Sequence, residues 1–203
     1  MIRGGRQPDG TFVLASDEDG RRRVEAAALS WLADIRCLLL DMDGTVTLGE
    51  GALPGAVDTL EAWKAMERDR VFVTNNSSHG TGHYVRRLNR AGIPTVRREV
   101  MTSTDALKSY LSALSPDTCP TLFPLGTPDF VGELADAGYP LAAVPPDAAS
   151  IRPDRTGGTG RPVDFVVLGF DTTLRYEKLD LACTLIRAGV PWIATNPDRV
   201  CPL

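Results

Sequence analysis

Residues 37–47, CLLLDMDGTVT, place two aspartates at the end of an apolar run. The run has no alternation of apolar and polar residues, which predicts a strand covered on both faces, as in a parallel sheet. Side chains repeat every two residues along a strand, so Asp41 and Asp43 can face the same way. Carboxylates beside a core need partners or a metal ion. The stretch therefore predicts a functional site, the alternative being one aspartate that caps a turn and one that is solvated.

A second strand, RVFVTNN at 70–76, also ends in polar residues, among them Thr74 and Asn75. In open α/β sheets, ligands bind beyond the carboxyl ends of the strands. The position of both residues fits such a site. Taken alone, they equally fit a strand that ends in an asparagine-rich turn.

Strand and helix patterns alternate along most of the chain, which predicts an α/β fold with mostly parallel sheets. A turn-rich stretch with a helical pattern near its end marks 1–34 as an N-terminal extension. A break near 113–120 separates two α/β units, 35–114 and 115–203. The motif TGGTG at 156–160 precedes a strand, whereas a phosphate-binding loop follows one, so we interpret it as a surface loop.

The composition argues against several classes of protein. The net charge of −4 over 203 residues provides no basic surface for nucleic acid, and no apolar segment reaches the length of a membrane span. The N-terminus lacks the apolar core of a signal peptide. Four widely spaced cysteines without a CxxC pair favour reduced thiols in a cytoplasmic protein, with Cys37 and Cys183 expected in the core.

The motif D-x-D-G-T after an apolar strand resembles motif I of the haloacid dehalogenase-like (HAD) superfamily, and VFVTNNSS at 71–78 resembles its motif II. With GALPGAVDTLEAW between them, the two resemble the NagD-like or p-nitrophenylphosphatase branch. Further similar stretches follow in the order that this branch uses: MTSTDAL, PLGTPDFVGELADAGY, VVLGFDTTLRYEKLDLA and WIATNPD. The resemblance implies a Rossmann-like HAD core with a parallel sheet, plus an α/β cap domain of the C2 type at 115–203.

The resemblance also implies an Mg²⁺-dependent phosphatase with an aspartyl-phosphate intermediate. Asp41 would be the nucleophile and Asp43 the general acid/base, because a carboxylate can take up the phosphoryl group while a second one moves the proton. The Asp41 carboxylate and the Asp43 backbone carbonyl would bind Mg²⁺. Thr74 and the Asn75 amide would hold the phosphoryl oxygens, and Gly44 would let the backbone approach them.

Two motifs of the superfamily are not found in this sequence: a lysine that steadies the phosphate, and an acidic G-D-x-x-x-x-D stretch. The three lysines, Lys64, Lys108 and Lys178, lie in predicted helices, and no Gly-Asp pair occurs. The returning half of the core is thus absent, which predicts a fragment with little activity of its own and uncovered apolar faces. The alternative is a shortened, non-catalytic protein that binds a phosphorylated ligand or a protein partner.

The cap of this family covers the site and selects a small phosphorylated metabolite. Asn196, Asp198 and Arg199 follow the last strand and are candidate substrate-binding residues, although a loop with an N-P turn explains them equally well. Caps of this family commonly mediate dimers, so a homodimer is also expected. His79 and His83 are interpreted as part of a polar helix start, because no acidic or thiol ligand completes a metal site in the sequence around them.

Overall fold

The computed structural model describes residues 34–114, 117–143 and 162–196 in full, together with the backbone of two short strands near the N-terminus. The strands are β1 Gly4–Arg6, β2 Phe12–Leu14, β3 Cys37–Asp41, β4 Thr47–Leu48, β5 Gly51–Ala52, β6 Asp69–Thr74, β7 Val100–Thr102, β8 Leu122–Leu125, β9 Phe165–Leu168 and β10 Trp192–Ala194. The helices are α1 Ala56–Ala65, α2 Thr81–Arg90, a 3₁₀ turn Arg97–Glu99, α3 Ser103–Leu114, α4 Pro128–Asp136 and α5 Tyr176–Arg187. The expected α/β class with parallel sheets is confirmed.

The first sheet is parallel, with strand order β3-β6-β7. Helices α1 and α2 cover one of its faces, because each presents an apolar stripe to the alternate, inward-pointing residues of the strands. The buried side chains of this layer include Leu60, Phe72, Tyr84, Leu88 and Val100. The layer fixes the positions of β3 and β6, the two strands that carry the predicted site.

The second sheet is also parallel, with order β10-β9-β8, and both of its faces are covered. Leu181 and Leu185 of α5 pack on one face. On the other, Leu107 and Leu111 of α3 pack together with Phe130 of α4. Helix α3 begins directly after β7, so it connects the first sheet to the core of the second.

The second face of the first sheet is bare within the residues that the structure describes. Leu39 of β3 is 74% exposed and Met101 of β7 is 42% exposed. The register places Leu39 beside Val71, and Met101 beside Val73, so these side chains share one face. The prediction that β3 is covered on both faces is therefore wrong for the described residues, whereas the predicted uncovered apolar face is present. Apolar residues along a strand indicate that its faces are buried in a stable fold. They do not indicate which helix or strand buries each face.

Several local predictions need correction. Both cysteines expected in the core, Cys37 and Cys183, are exposed. From the sequence, Pro54 suits the first turn of a helix, but helix α1 begins only after Gly55, whose φ of 80° favours glycine, so Pro54 precedes the helix. The short hairpin β4–β5 was not predicted, because a two-residue strand carries almost no periodic signal. The helical pattern near the end of the N-terminal extension lies outside the described residues, except at its last positions.

Thr102, the residue before the first helical residue Ser103, fixes the start of α3. The Thr102 hydroxyl accepts a hydrogen bond from the Asp105 amide (3.2 Å), and the Asp105 carboxylate accepts one from the Thr102 amide (3.1 Å). This reciprocal pair is a capping box in which aspartate takes the place of the usual glutamate. Arg97 and Lys108 also contact the Asp105 carboxylate, at 2.7 and 2.9 Å.

No helix among the described residues is long and apolar enough to cross a membrane.

We predict that Asp105→Asn destabilises the protein in a pH-dependent way. Burial raises the pKa of Asp105, but hydrogen bonds from Lys108 and the Thr102 amide, with the nearby positive charges, lower it to about 2. Because the folded-state pKa lies below the ordinary value of 3.8, the stabilisation is present at neutral pH. It is lost as the pH falls from about 4 to about 2. At pH 7 the substitution should lower the free energy of unfolding by about 1 kcal/mol after allowance for solvent screening.

Urea unfolding at pH 7 and at pH 3 measures this difference. The control is Asp58→Asn, which removes an exposed carboxylate in the first turn of α1 and should change stability much less. An equal loss of stability at both pH values for Asp105→Asn would contradict the assignment.

Candidate active site

The carboxyl ends of three parallel strands bring the predicted site residues to one edge of the first sheet. Asp41, the last residue of β3, pairs in register with Val73, and Thr74 pairs with Thr102. Asp41 is exposed, whereas Thr74 is only 4% exposed. The structure thus places Asp41 and Thr74 on adjacent strands at the same edge, as the sequence predicts.

The loop after Asp41 folds back tightly at Gly44. Its φ of 80° lies in the left-handed region, which a residue with a Cβ adopts only with strain. The Gly44 amide donates to the Thr47 carbonyl at 2.7 Å, and the Thr47 amide donates to the Met42 carbonyl at 2.8 Å. These bonds turn the chain into the β4–β5 hairpin and leave the Asp43 side chain about half exposed above the sheet edge.

Arg87 of α2 holds the carboxylate of Asp43. Its Nη2 atom donates to Asp43 Oδ1 and also to the Gly49 carbonyl at 2.7 Å and to Thr47 Oγ1 at 3.1 Å. The Arg87 side chain is only 11% exposed, so its charge is poorly solvated and depends on these acceptors. One guanidinium therefore ties the candidate acid/base to the hairpin that follows it. Arg87 was not predicted from the sequence, because one arginine within a basic helix carries no signal of its contact with a residue 44 positions away.

The loop after β6 is anchored by the second sheet through Ser77, which is fully buried. The Ser77 hydroxyl accepts a hydrogen bond from the Phe170 amide at 2.8 Å and lies 3.2 Å from the Thr195 hydroxyl. The Thr127 hydroxyl donates to the Ser78 carbonyl at 2.8 Å. Each of these partners follows a different strand of the second sheet, so the carboxyl ends of β8, β9 and β10 all meet the loop that begins at Thr74. Ser77 stands within the motif VFVTNNSS, but nothing in the local pattern distinguishes it from the polar residues around it.

Little room for a side chain is left at Gly169, where β9 ends beside this loop. A Cβ atom added at Gly169 would lie 3.1 Å from Ser77 Oγ and 3.2 Å from the Phe130 ring. The close approach lets the Phe170 amide reach the buried serine.

The candidate substrate residues are only partly described. Asn196 is half-buried and directly follows Thr195, so it lies beside the Ser77 contact. Asp198 and Arg199 lie outside the described residues. The structure therefore brings the first of the three close to the loop after β6, and the other two remain predictions.

Two histidines stack beside the loop. The rings of His79 and His83 lie 3.9 Å apart and nearly parallel, and His79 Nδ1 is 3.3 Å from an oxygen of Asp129. Burial lowers the pKa of His83, with a further contribution from His79 and the neighbouring arginines. Tyr84 donates to the Asn76 carbonyl, and burial raises its pKa to about 12, so it stays a neutral donor at physiological pH. His83 lies within α2, and His79 precedes the helix.

The donor set for Mg²⁺ is incomplete in the described part of the chain. No group of three or more acidic, histidine or cysteine side chains there could hold a metal ion. The Asp41 carboxylate and the Asp43 carbonyl fit part of such a site, since Mg²⁺ accepts one or two carboxylates with water and phosphate oxygens. Two of the three lysines are engaged elsewhere, Lys108 with Asp105 and Lys178 with Asp171.

Comparison with known proteins decides the family. A family model described as haloacid dehalogenase-like hydrolase matches residues 38–140, about half of the chain, including both candidate motifs. The chain belongs to the HAD-like hydrolases. Its solved structural neighbours place it in the NagD-like branch. They include a 4-nitrophenylphosphatase from Thermotoga maritima (37% identity, TM-score 0.69) and a putative NagD protein (37% identity, TM-score 0.70).

Curated relatives of this HAD-like chain are named as phosphatases. Human glycerol-3-phosphate phosphatase is 32% identical over 93% of the chain, and an acid sugar phosphatase of Staphylococcus haemolyticus is 30% identical over 81%. The chain spans 63% and 56% of the lengths of these two proteins. It likewise covers 57% and 59% of the two structural neighbours, which themselves match 83% of this chain.

We predict that Ser77→Ala destabilises the contact between the loop and the second sheet. The substitution removes the acceptor of the Phe170 amide, and an unsatisfied buried donor costs about 1–3 kcal/mol. Chemical unfolding should show a loss of this size. Ser112→Ala, at an exposed serine of α3, is the matched control and should be close to neutral. Equal stability of the two variants would contradict the anchoring role of Ser77.

We also predict that Arg87→Met loosens the β4–β5 hairpin. Amide hydrogen exchange at Val46 and Thr47 should accelerate about tenfold or more, because the substitution removes the donor shared by Asp43 and the hairpin. Arg90→Met is the control, since Arg90 contacts Glu50 of the same hairpin only through an exposed ion pair of 3.5 Å. Similar exchange rates in the two variants would show that Arg87 does not hold the hairpin.

Proposed function

We propose that this chain carries the nucleophile and the acid/base of a phosphatase that hydrolyses a small phosphate monoester. The observation that carries the proposal is the pairing of β3 with β6. It sets Asp41 next to the strand that ends in Thr74, with Asp43 immediately beyond. Both relatives described above are named for phosphate monoester substrates, which supports the same class of reaction here.

The chemistry follows from the two carboxylates. An oxygen of Asp41 attacks phosphorus, the bond between phosphorus and the leaving oxygen breaks, and protonated Asp43 gives its proton to that oxygen. An aspartyl phosphate on Asp41 results. Asp43 then removes a proton from water, which attacks phosphorus, releases inorganic phosphate and restores Asp41. The Thr74 hydroxyl and the Asn75 amide bind the phosphoryl oxygens in both steps.

Arg87 gives Asp43 a defined orientation for this role. Its contact is made through Oδ1, so the proton transfers would use Oδ2. The anchoring of one oxygen limits rotation of a carboxylate that is otherwise half exposed. A fixed geometry of this kind lowers the entropic cost of reaching the reactive arrangement.

Mg²⁺ is the proposed cofactor, with the Asp41 carboxylate and the Asp43 carbonyl as two of its ligands. A structural neighbour, a glycerol phosphate phosphatase from Mycobacterium tuberculosis with 29% identity and a TM-score of 0.66, was solved in complex with magnesium. When bound, such an ion neutralises the phosphate and polarises it for attack. Its remaining ligands would have to come from outside the described residues.

The proposed substrate is a small phosphorylated metabolite, selected by residues that follow the strands of the second sheet, Asn196, Asp198 and Arg199. We further propose that the protein acts in the cytoplasm and forms a homodimer through the second α/β unit.

The second candidate function is binding of a phosphorylated ligand without turnover. It is favoured by the incomplete donor set for the metal ion.

A phosphate analogue tests the function. Titration of the purified chain with beryllofluoride and Mg²⁺ should perturb the amide signals of Asp41, Gly44 and Asn75 in NMR spectra, because beryllofluoride mimics a phosphoryl group on a carboxylate. Asp41→Asn should abolish the perturbation, whereas Asp58→Asn on α1 should leave it unchanged. An undiminished perturbation in Asp41→Asn would rule out Asp41 as the nucleophile.

A p-nitrophenyl phosphate assay tests whether residues 1–203 complete the site on their own. We expect little or no turnover by residues 1–203 with Mg²⁺, because the described residues supply only part of the donor set for the metal ion. Robust turnover that Asp41→Asn abolishes would show that these residues alone suffice and would contradict the expected incompleteness.

A further inference from the structure

Tyr84 of α2 contacts the loop that follows β6 through its hydroxyl. The side chain is only 1% exposed and belongs to the same buried cluster as Phe72 and Leu88. Its hydroxyl donates a hydrogen bond to the Asn76 carbonyl at 2.8 Å. The core packing of the ring therefore fixes a donor against a backbone group two residues beyond Thr74.

Asn76 is held through both of its backbone groups. While Tyr84 binds its carbonyl, its amide donates to Thr74 Oγ1 at 3.2 Å. Its side chain adds a third bond, because Asn76 Oδ1 accepts from the Ser78 amide at 2.9 Å. Bonds at the amide, the carbonyl and the side chain restrict the backbone angles of this one residue, so the Asn76 amide keeps its direction toward Thr74.

The bond from Asn76 determines where the Thr74 hydroxyl can donate. A threonine hydroxyl has one proton to donate and two lone pairs that accept. The Asn76 amide occupies one lone pair, so the Thr74 proton points away from it, toward the phenol oxygen of Tyr84 or toward a phosphoryl group at Asp41. A charged phosphoryl oxygen is the stronger acceptor of the two. The arrangement thus orients Thr74 as a donor to phosphate.

Tyr84 suits this role because its hydroxyl stays neutral. Burial raises the pKa of Tyr84 to about 12, with smaller contributions in both directions from Ser78, Asp43 and Thr74 among others. An anionic phosphate beside the loop would favour the neutral form further, since a negative charge nearby disfavours a phenolate. The Asn76 carbonyl therefore keeps its donor with or without a phosphoryl group bound.

We propose that Tyr84 is a positioning residue for phosphoryl binding: its hydroxyl fixes Asn76, and Asn76 fixes the direction in which Thr74 donates. This role rests on the proposed binding of phosphoryl oxygens by Thr74 and adds a further residue to that site. Tyr84 itself does not touch the phosphoryl group, so its loss should weaken binding without removing a contact to the ligand.

Amide hydrogen exchange of the chain without ligand tests the first step. Tyr84→Phe removes one oxygen and keeps the buried ring. Exchange at Asn76 and Ser78 should accelerate about tenfold, because the loop loses the donor of a part-buried carbonyl. Exchange at Phe72 within β6 should change much less, whereas a loss of overall stability would accelerate all three amides. Tyr110→Phe is the matched control, since it removes the hydroxyl of a tyrosine on α3 that is 52% exposed.

A double-mutant cycle tests whether Tyr84 acts on Thr74 through Asn76. Thr74→Val removes the acceptor of the Asn76 amide and nearly keeps the shape of the side chain. Exchange at Asn76 should then already be fast, and adding Tyr84→Phe should change it by no more than about twofold. Effects of the two substitutions that simply multiply would overturn the proposal.

Titration with beryllofluoride and Mg²⁺ separates the positioning role from the proposed function. Tyr84→Phe should raise the dissociation constant about tenfold, and Tyr110→Phe should leave it unchanged. Unchanged exchange at Asn76, or faster exchange with unchanged affinity, would overturn the positioning role. Faster exchange in a chain that binds no beryllofluoride would support the link from Tyr84 to Asn76 and count against the proposed function. Binding that depends on Asp41 but not on Tyr84 would do the reverse.

Discussion

Parallel pairing of β3 with β6 is the constraint on which the rest of the site depends. It aligns Asp41 with Val73 and so brings a carboxylate next to the strand that ends in Thr74. Since side chains alternate, a shift of one residue in this register would turn Leu40 and Phe72 away from the helices that bury them. The same packing that stabilises the sheet therefore fixes the spacing of the catalytic candidates.

The two sheets are coupled through a short loop with several anchors. Ser77 and the Ser78 carbonyl are bound by groups from the ends of β8, β9 and β10, while Ser103 at the start of α3 donates to the Asn75 carbonyl at 3.1 Å. Loops of this length are usually mobile unless their backbone groups are satisfied locally. Here the second sheet immobilises the loop, so the position of Thr74 depends on the integrity of both sheets.

The sequence predicted the strands and the residues at their ends, because local apolar runs and short motifs encode them. Asp41, Thr74 and the parallel order of β3 and β6 follow from such local signals. The roles of Arg87 and Ser77 were not predicted, because their partners lie 44 and 93 residues away in the sequence. Neither residue departs from the local pattern of its helix or loop. The exposure of Leu39 also could not be read from an apolar run. The apolar run predicts that both faces of β3 are buried. Only the structure shows that the face carrying Leu39 is not covered by the described residues.

The charges at the carboxyl end of β3 determine what else the proposed phosphatase site needs. At the proposed site, the Asp41 carboxylate and an incoming phosphate dianion repel one another, and two unit charges 4 Å apart interact by about 4 kcal/mol at an effective dielectric constant of 20. Arg87 supplies one positive charge, but it is already shared between Asp43 and the hairpin carbonyl. Its charge is committed to groups other than Asp41, so binding of a phosphate ester at the proposed site calls for further positive charges near Asp41. A divalent cation or a lysine held beside Asp41 would provide them. The apolar face that the described residues leave uncovered is thus adjacent to the place where the proposed reaction most needs additional groups.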